Sequence, residues 1–108
     1  MIARLRKHAL LENTLIIYAA DNGLAVGSHG LLGKQNLYEH SMKVPLIISG
    51  PGIPKGQSSE ALVYLYDLFP KLTQYLEIPT PEEIDGLSLM NLIDQKQQSV
   101  RSSLYTAY

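Results

Sequence analysis

Three features of this 108-residue sequence predict an α/β fold. Two short, β-branched apolar runs stand out, TLIIYAA at residues 14–20 and VPLIIS at residues 44–49. Segments with helical spacing of apolar residues lie before, between and after them. Each run stops at turn-forming residues, Asp21-Asn22-Gly23 after the first and Gly50-Pro51-Gly52 after the second. Strands alternating with helices make an α/β layer structure. Because the runs are apolar throughout and do not alternate, they are expected to be buried on both faces, as in a parallel sheet covered by helices.

Residues 2–12 are expected to form the first helix, with Ile2, Leu5, Ala9 and Leu10 on one face and Asn13 as a left-handed C-cap. The first strand follows at 14–20. Residues 23–34 hold four glycines and predict a loop. A short helix over about 36–42 and the second strand at 44–49 come next, with Pro45 tolerable only near a strand start. Gly50-Pro51-Gly52-Ile53-Pro54 is turn material. Ala61 to Tyr66 is expected to be extended. Asp67 is placed as an N-cap, with Pro70 in the first turn, where its missing N–H costs little. Leu68, Leu72 and Leu76 form that helix's apolar stripe, and Pro79 and Pro81 end it. Asp85-Gly86 is a turn, Leu87 to Ile93 a short helix, and Leu104 to Tyr108 a strand in which the chain ends.

Composition narrows the function. Apolar residues make up 45% and charged residues 18%, which is globular and excludes wholesale disorder. The net charge of −1 argues against a binder of nucleic acid or acidic membranes, which needs a basic surface. No apolar run approaches the roughly 20 residues that cross a bilayer. The absence of cysteine removes disulfides, thiolate zinc sites and cysteine nucleophiles. Residues 1–54 carry five Lys/Arg and three Asp/Glu, a local excess that suits an anion ligand.

Ligands of open α/β sheets bind beyond the carboxyl ends of strands, and Asp21, Asn22 and the glycine-rich loop lie there. Asp21 offers a carboxylate and Asn22 an amide oxygen, both hard donors suited to Ca²⁺ or Mg²⁺. Adjacent residues of a strand point to opposite faces, so both reach one ion only where the strand breaks, as Gly23 permits. The same tripeptide is also an ordinary turn former. His29 and Lys34, flanked by Gly27, Gly30 and Gly33, can aim at an anion, and lysine is a point charge for phosphate- or sulfate-like groups. The loop is not a Walker A loop, because Gln35 follows Gly33-Lys34 and position 28 is serine. His8 is expected at the surface. Glu39 and His40 are expected to be structural hydrogen-bonding residues, and Tyr64, Tyr66 and Tyr75 to pack in or beside the core.

Taken together, the run NTLIIYAADNGLAVGSHGLLGKQNLYEHSMKVPLIISGPGIPKGQ, residues 13–57, resembles the C-terminal part of the catalytic domain of the type I sulfatases, within the alkaline-phosphatase-like superfamily. The resemblance continues in order through LYDLFPKL, IPTP, DGLSLMNLI and the closing arginine-to-tyrosine stretch. It implies a partial alkaline-phosphatase-like sheet flanked by helices, with residues 1–108 forming one piece of that domain. It also implies sulfate ester hydrolysis with a Ca²⁺ or Mg²⁺ cofactor and a formylglycine nucleophile. Residue by residue, Asp21 and Asn22 fall on metal ligands, Lys34 on the lysine that contacts sulfate and assists the leaving oxygen, and His29 on the substrate side. Tyr38-Glu39 and Val44-Pro45 fall on the structural frame.

The chain departs from the family pattern where the nucleophile is concerned. Formylglycine arises in a Cys/Ser-x-Pro/Ala-x-Arg motif, and no cysteine and no serine in that context occurs here. The aspartate pair that completes the family's metal cage is also missing. The resemblance therefore implies one wall of an active site, inactive alone, from an enzyme acting on a sulfated sugar or aryl sulfate. Relatives are often periplasmic or secreted. A related phosphodiesterase or phosphonate monoester hydrolase, or a noncatalytic scaffold domain, are the alternatives; Asn22 and the residues after Lys34 favour sulfatase. Uncovered sheet edges are expected to drive self-association.

Overall fold

The computed structural model describes residues 1–106. The chain forms two compact units, Met1–Ile53 and Pro54–Tyr105. In the first unit, helix α1 spans Ile2–Lys7 and strand β1 spans Ile16–Ala19. Strands β2 (Ala25–Val26) and β3 (Leu32–Gly33) follow, then helix α2 (Glu39–Met42) and strand β4 (Leu46–Ser49). The second unit contains helices α3 (Leu68–Tyr75) and α4 (Met90–Ile93).

α1 is shorter than the spacing of apolar residues predicts. It closes in a Schellman motif, with the Leu10 N–H donating to the Leu5 carbonyl at 2.9 Å and the Ala9 N–H to the Arg6 carbonyl at 3.1 Å. The left-handed residue is Ala9 (φ 56°), not Asn13. Leu11–Asn13 then make a 3-10 turn, and the Thr14 hydroxyl donates back to the Leu10 carbonyl at 2.7 Å. Alanine takes this conformation against the clash of its Cβ.

β1 and β4 are antiparallel neighbours, in the register Ile16↔Ser49, Ile17↔Ile48, Tyr18↔Ile47 and Ala19↔Leu46. This corrects the parallel pairing expected from the all-apolar runs. An apolar run reports burial and carries no information about strand direction. Nor are both faces buried: Tyr18 and Ile47, directly opposite one another, are 62% and 59% exposed. The glycine-rich segment is not a plain loop either. β2 and β3 pair antiparallel as a small hairpin, Ala25↔Gly33 and Val26↔Leu32, around a 3-10 turn at Ser28–Gly30. Ala25 is its buried residue. After β4 the chain turns at Gly50-Pro51-Gly52-Ile53, closed by the Ile53 N–H on the Gly50 carbonyl, with Gly52 at φ 67°. Proline second and a left-handed glycine third are the requirements of a type II turn.

The second unit is organised by Asp67. It sits at the N-cap position of α3, but its side chain does not cap that helix. Oδ2 accepts the Tyr64 N–H at 2.7 Å, and Oδ1 accepts the Leu87 N–H at 2.8 Å. Arg101 engages both oxygens with its two terminal nitrogens. Asp67 is fully buried, and the Arg101 guanidinium lies 4.6 Å from the centre of the Tyr64 ring. Burial by itself would raise the Asp67 pKa. The Arg101 hydrogen bond and the two backbone donors outweigh burial and hold the carboxyl below its ordinary range.

The Leu68–Leu72–Leu76 stripe is not the buried face of α3. Leu76 is 58% exposed, and Pro70, Lys71 and Thr73 are the buried residues. Lys71 contacts the Met90 sulfur and lies 5.0 Å from the centre of the Tyr75 ring. Burial pushes its pKa down, against the pull of Asp94. α3 also ends in a Schellman motif, with Glu77 at φ 55° and the Ile78 N–H on the Thr73 carbonyl at 2.9 Å. Ala61–Tyr64 is irregular and leads into a 3-10 turn at Leu65–Asp67, so the expected extended piece ends early. Leu104–Thr106 is irregular where a strand was expected, and the last two residues of that strand lie outside the described residues.

Two stability predictions follow from these contacts. Protonating Asp67 removes the favoured charged form, so its contribution is present above the unfolded carboxyl pKa of about 3.9 and is lost as the pH falls through the depressed folded value. Asp67→Asn leaves the guanidinium unpaired. It should cost about 3 kcal/mol in urea unfolding at pH 7 and flatten the stability loss below pH 4. Ala9→Gly relieves the left-handed alanine and should raise stability by about 0.5–1 kcal/mol in the same measurement.

Candidate functional site

β1 delivers Asp21-Asn22-Gly23 at its carboxyl end. Here the strand breaks, and the break is tied down from the side. The Gly23 N–H donates to the Ser41 carbonyl at 2.9 Å. A Cβ on residue 23 would lie 1.9 Å from the His40 carbonyl oxygen, so only glycine fits against the end of α2. The close approach to α2, rather than a positive φ, makes the glycine necessary.

The two oxygen-bearing side chains before it are ordered by local hydrogen bonds. Asp21 Oδ1 accepts the Asn22 N–H at 2.9 Å. Asn22 Nδ2 donates to the Gly23 carbonyl at 2.8 Å, which fixes the amide so that its oxygen faces away from Gly23. That oxygen accepts a hydrogen bond from Lys34 Nζ at 3.2 Å. Asn22 and Lys34 are twelve residues apart, and the β2–β3 hairpin closes that distance. Three of the four predicted site residues are therefore brought into one cluster.

His29 is placed differently. It occupies the 3-10 turn at the hairpin tip in the left-handed conformation (φ 55°). Its imidazole stacks on the Tyr38 ring, with centroids 4.1 Å apart and planes 12° from parallel. His40 stacks on the same group, 5.7 Å from each of the other two rings. The structure hydrogen-bonds His29 to none of Asp21, Asn22 and Lys34. The expected hydrogen-bonding role of His40 is not what is seen. Its Nε2 is buried without a partner, as is the Ser41 hydroxyl oxygen, and Glu39 is exposed.

The resemblance puts Tyr38 on the structural frame, while sequence reasoning missed Ser41 and the β2–β3 hairpin. The signal of the hairpin was present as the pairs Ala25-Val26 and Leu31-Leu32 on either side of Gly27-Ser28-His29-Gly30. That is a hairpin pattern with strands too short to score by periodicity.

The donors suit a hard cation in kind. They are one carboxylate and one amide oxygen, and the amide oxygen already accepts a cationic group. They are few in number. Ca²⁺ takes six to eight oxygens, and no group of three or more His, Cys, Asp or Glu that could hold a metal occurs among the described residues.

The sulfatase family model matches residues 1–78. This chain belongs to the sulfatase family. It is 36% identical over 92 residues to arylsulfatase K of Canis lupus familiaris, which covers 85% of this chain and 17% of that protein. Against the extracellular sulfatase SULF-1 homolog of Drosophila melanogaster it is 35% identical over 94 residues, 86% of this chain and 8% of the relative. Among solved structures it is similar to the protein BT4656 in complex with its substrate D-glucosamine-2-N,6-O-disulfate. The TM-score is 0.83 and the identity 30%, over 99% of this chain and 22% of that one. The phosphonate monoester hydrolase SpPMH from Silicibacter pomeroyi gives a TM-score of 0.81 at 30% identity, covering 96% of this chain and 20% of its own. The chain spans between 8% and 22% of the length of these proteins. No described helix is long and apolar enough to cross a membrane.

Gly23→Ala should force α2 off the strand end. The expected outcome is a loss of about 2 kcal/mol or more in unfolding free energy, with NMR shifts concentrated at residues 21–23 and 40–42.

Proposed function

We propose that this chain is part of a sulfuric ester hydrolase and carries one wall of its active site. It forms the C-terminal portion of the catalytic domain. The observation that carries the reading is the contact of Lys34 Nζ with Asn22 Oδ1 at 3.2 Å. It places an ammonium group beside hard oxygen donors at the end of a strand, where α/β proteins bind ligands. Asp21 and Asn22 are the residues that would hold a divalent cation, Ca²⁺ or Mg²⁺, which supplies charge stabilisation to sulfate oxygens when bound. Lys34 contributes a mobile positive charge toward the same oxygens and the leaving alkoxide, where charge grows as the ester S–O bond breaks. His29, exposed at the hairpin tip, is assigned to the substrate side on the resemblance alone.

The substrate class is a sulfate ester, a sulfated sugar or an aryl sulfate. Similarity to a protein solved with a disulfated glucosamine favours the sugar. The 108-residue chain alone is inactive on this reading. It contributes two of the metal's oxygens and no cysteine from which a formylglycine could be made. A second reading, hydrolysis of a phosphonate monoester, draws on the similarity to the phosphonate monoester hydrolase.

The two readings separate in a chimera. Residues 13–57 replace the matching segment of arylsulfatase K, and turnover of 4-nitrophenyl sulfate is compared with that of 4-nitrophenyl phenylphosphonate. Sulfate turnover should dominate, and Asp21→Ala or Lys34→Ala in the chimera should each lower kcat by about 100-fold or more. The isolated chain should turn over neither ester. Unchanged kcat in both variants overturns the assignment, and dominant phosphonate turnover selects the second reading.

A further inference from the structure

We propose that the second unit carries a binding groove for a neutral, hydroxyl-rich ligand, an uncharged stretch of oligosaccharide. The proposal does not rest on the reading of Asp21, Asn22 and Lys34, because every residue lining the groove lies in the second unit.

The groove has a volume of about 680 Å³, within the roughly 300–1,000 Å³ of small-molecule sites. Two stretches line it, one within residues 57–62 and one within residues 92–102. Four of the chain's six glutamines, Gln57, Gln95, Gln97 and Gln98, are among the lining residues, so amide groups set its chemistry. Gln97 commits its Nε2 to the Ser99 carbonyl. Gln57, Gln95 and Gln98 are exposed, and their side-chain amides make no hydrogen bond to another described residue. An amide both donates and accepts, as a sugar hydroxyl does, so the two pair in either direction. Ala61, Leu62 and Leu92 add apolar surface that suits the C–H faces of sugar rings.

The charges of the groove disfavour an anion. Arg101 is the one cation in the lining, and both of its terminal nitrogens are taken by Asp67. Glu60 is the one acid there, and it is exposed. A sulfate or phosphate group would add negative charge beside Glu60 with no free cation to meet it. An extended peptide fits less well, since neither stretch forms a strand whose edge could pair with a main chain.

The two sides are held before any ligand arrives. Arg101 Nη1 lies 3.5 Å from the Leu62 carbonyl oxygen, so the buried ion pair with Asp67 also ties one side to the other. On the second side α4 closes in a Schellman motif. The Lys96 N–H donates to the Asn91 carbonyl at 2.9 Å and the Gln95 N–H to the Leu92 carbonyl at 3.1 Å, with Gln95 at φ 60°. Glycine takes that conformation without strain, whereas glutamine there adds an amide to the groove. A preformed groove loses less entropy on binding.

The test titrates the isotope-labelled 108-residue chain with maltotriose, cellotriose and triacetylchitotriose, followed by NMR of backbone and glutamine side-chain amides. At least one sugar should cause saturable shifts at residues 57–62 and 92–102, including the side chains of Gln57, Gln95 and Gln98. Gln95→Gly should keep or raise the thermal unfolding midpoint and weaken that sugar about three- to tenfold. The exposed pair Gln57→Ala and Gln98→Ala, combined, should weaken it at least as much with the fold intact. N-acetylglucosamine 6-sulfate should bind the groove more weakly than N-acetylglucosamine.

No saturable shift with any of the three sugars, or unchanged affinity in both folded variants, overturns the site. Tighter binding of the sulfated sugar overturns the neutral ligand class. Saturable shifts at the groove with a Gly-Ser hexapeptide and with none of the sugars overturn the saccharide assignment in favour of a peptide.

Discussion

No side chain fits at residue 23, and the arrangement of the first unit depends on that. The backbone there runs so close to the His40 carbonyl that even a methyl group would overlap it. The same close approach lets the Gly23 N–H reach the Ser41 carbonyl. Through these contacts the end of β1 and the end of α2 become one rigid corner. Asp21 and Asn22 lie immediately before that corner. Their side chains are oriented by bonds to backbone groups of residues 22 and 23. A donor pair on a free loop would have to be ordered by its ligand, at the cost of conformational entropy. Here much of the ordering is already built into the fold.

The hairpin supplies the remaining geometric requirement. A lysine twelve positions from Asn22 returns to it because β2 and β3 fold back on one another between the two residues. Each strand is only two residues long, so the ladder itself contributes little. The tip is supported from the side instead, by the His29 ring lying flat on Tyr38 with His40 beside them. These rings act as a small brace under the loop that carries Lys34. The sequence already held the ingredients, since the resemblance implies a structural role for Tyr38-Glu39. The face-to-face contact could be found only from the fold.

How far the sequence discloses the structure depends on the range of each interaction. The apolar runs place β1 and β4 within two residues, because burial is written locally. They do not give the strand direction, which depends on what lies alongside. The end of α1, expected at Asn13, lies at Ala9 for a related reason. Asparagine is the better left-handed residue in isolation, but the carbonyls of Leu5 and Arg6 need their donors four residues earlier. Asp21, Asn22 and Lys34 were legible as chemistry and as a family pattern. Their meeting was not, because it depends on a hairpin too short to leave a periodic signal. His29 was legible only as a candidate, and its ring contacts separate it from the other three.

Asp67 shows the same limit in the second unit and also how that unit is specified. Local sequence suggested an N-cap, a contact spanning three residues. The observed partners are the Tyr64 N–H three residues back and, beyond local reach, Leu87 and Arg101, 20 and 34 residues away. Few large apolar residues are fully buried here; Leu89 is the one at 2% exposure. A buried ion pair adds little net stability over a well-packed apolar pair, because desolvating both charges offsets most of the attraction. What it adds is discrimination. Any arrangement of residues 64–67, 87 and 101 that separates the carboxylate from the guanidinium, or from its two backbone donors, leaves a buried charge unsatisfied. Misarranged chains are penalised far more than the correct one is rewarded. A unit with a small apolar core gains a single chain path from one such cluster.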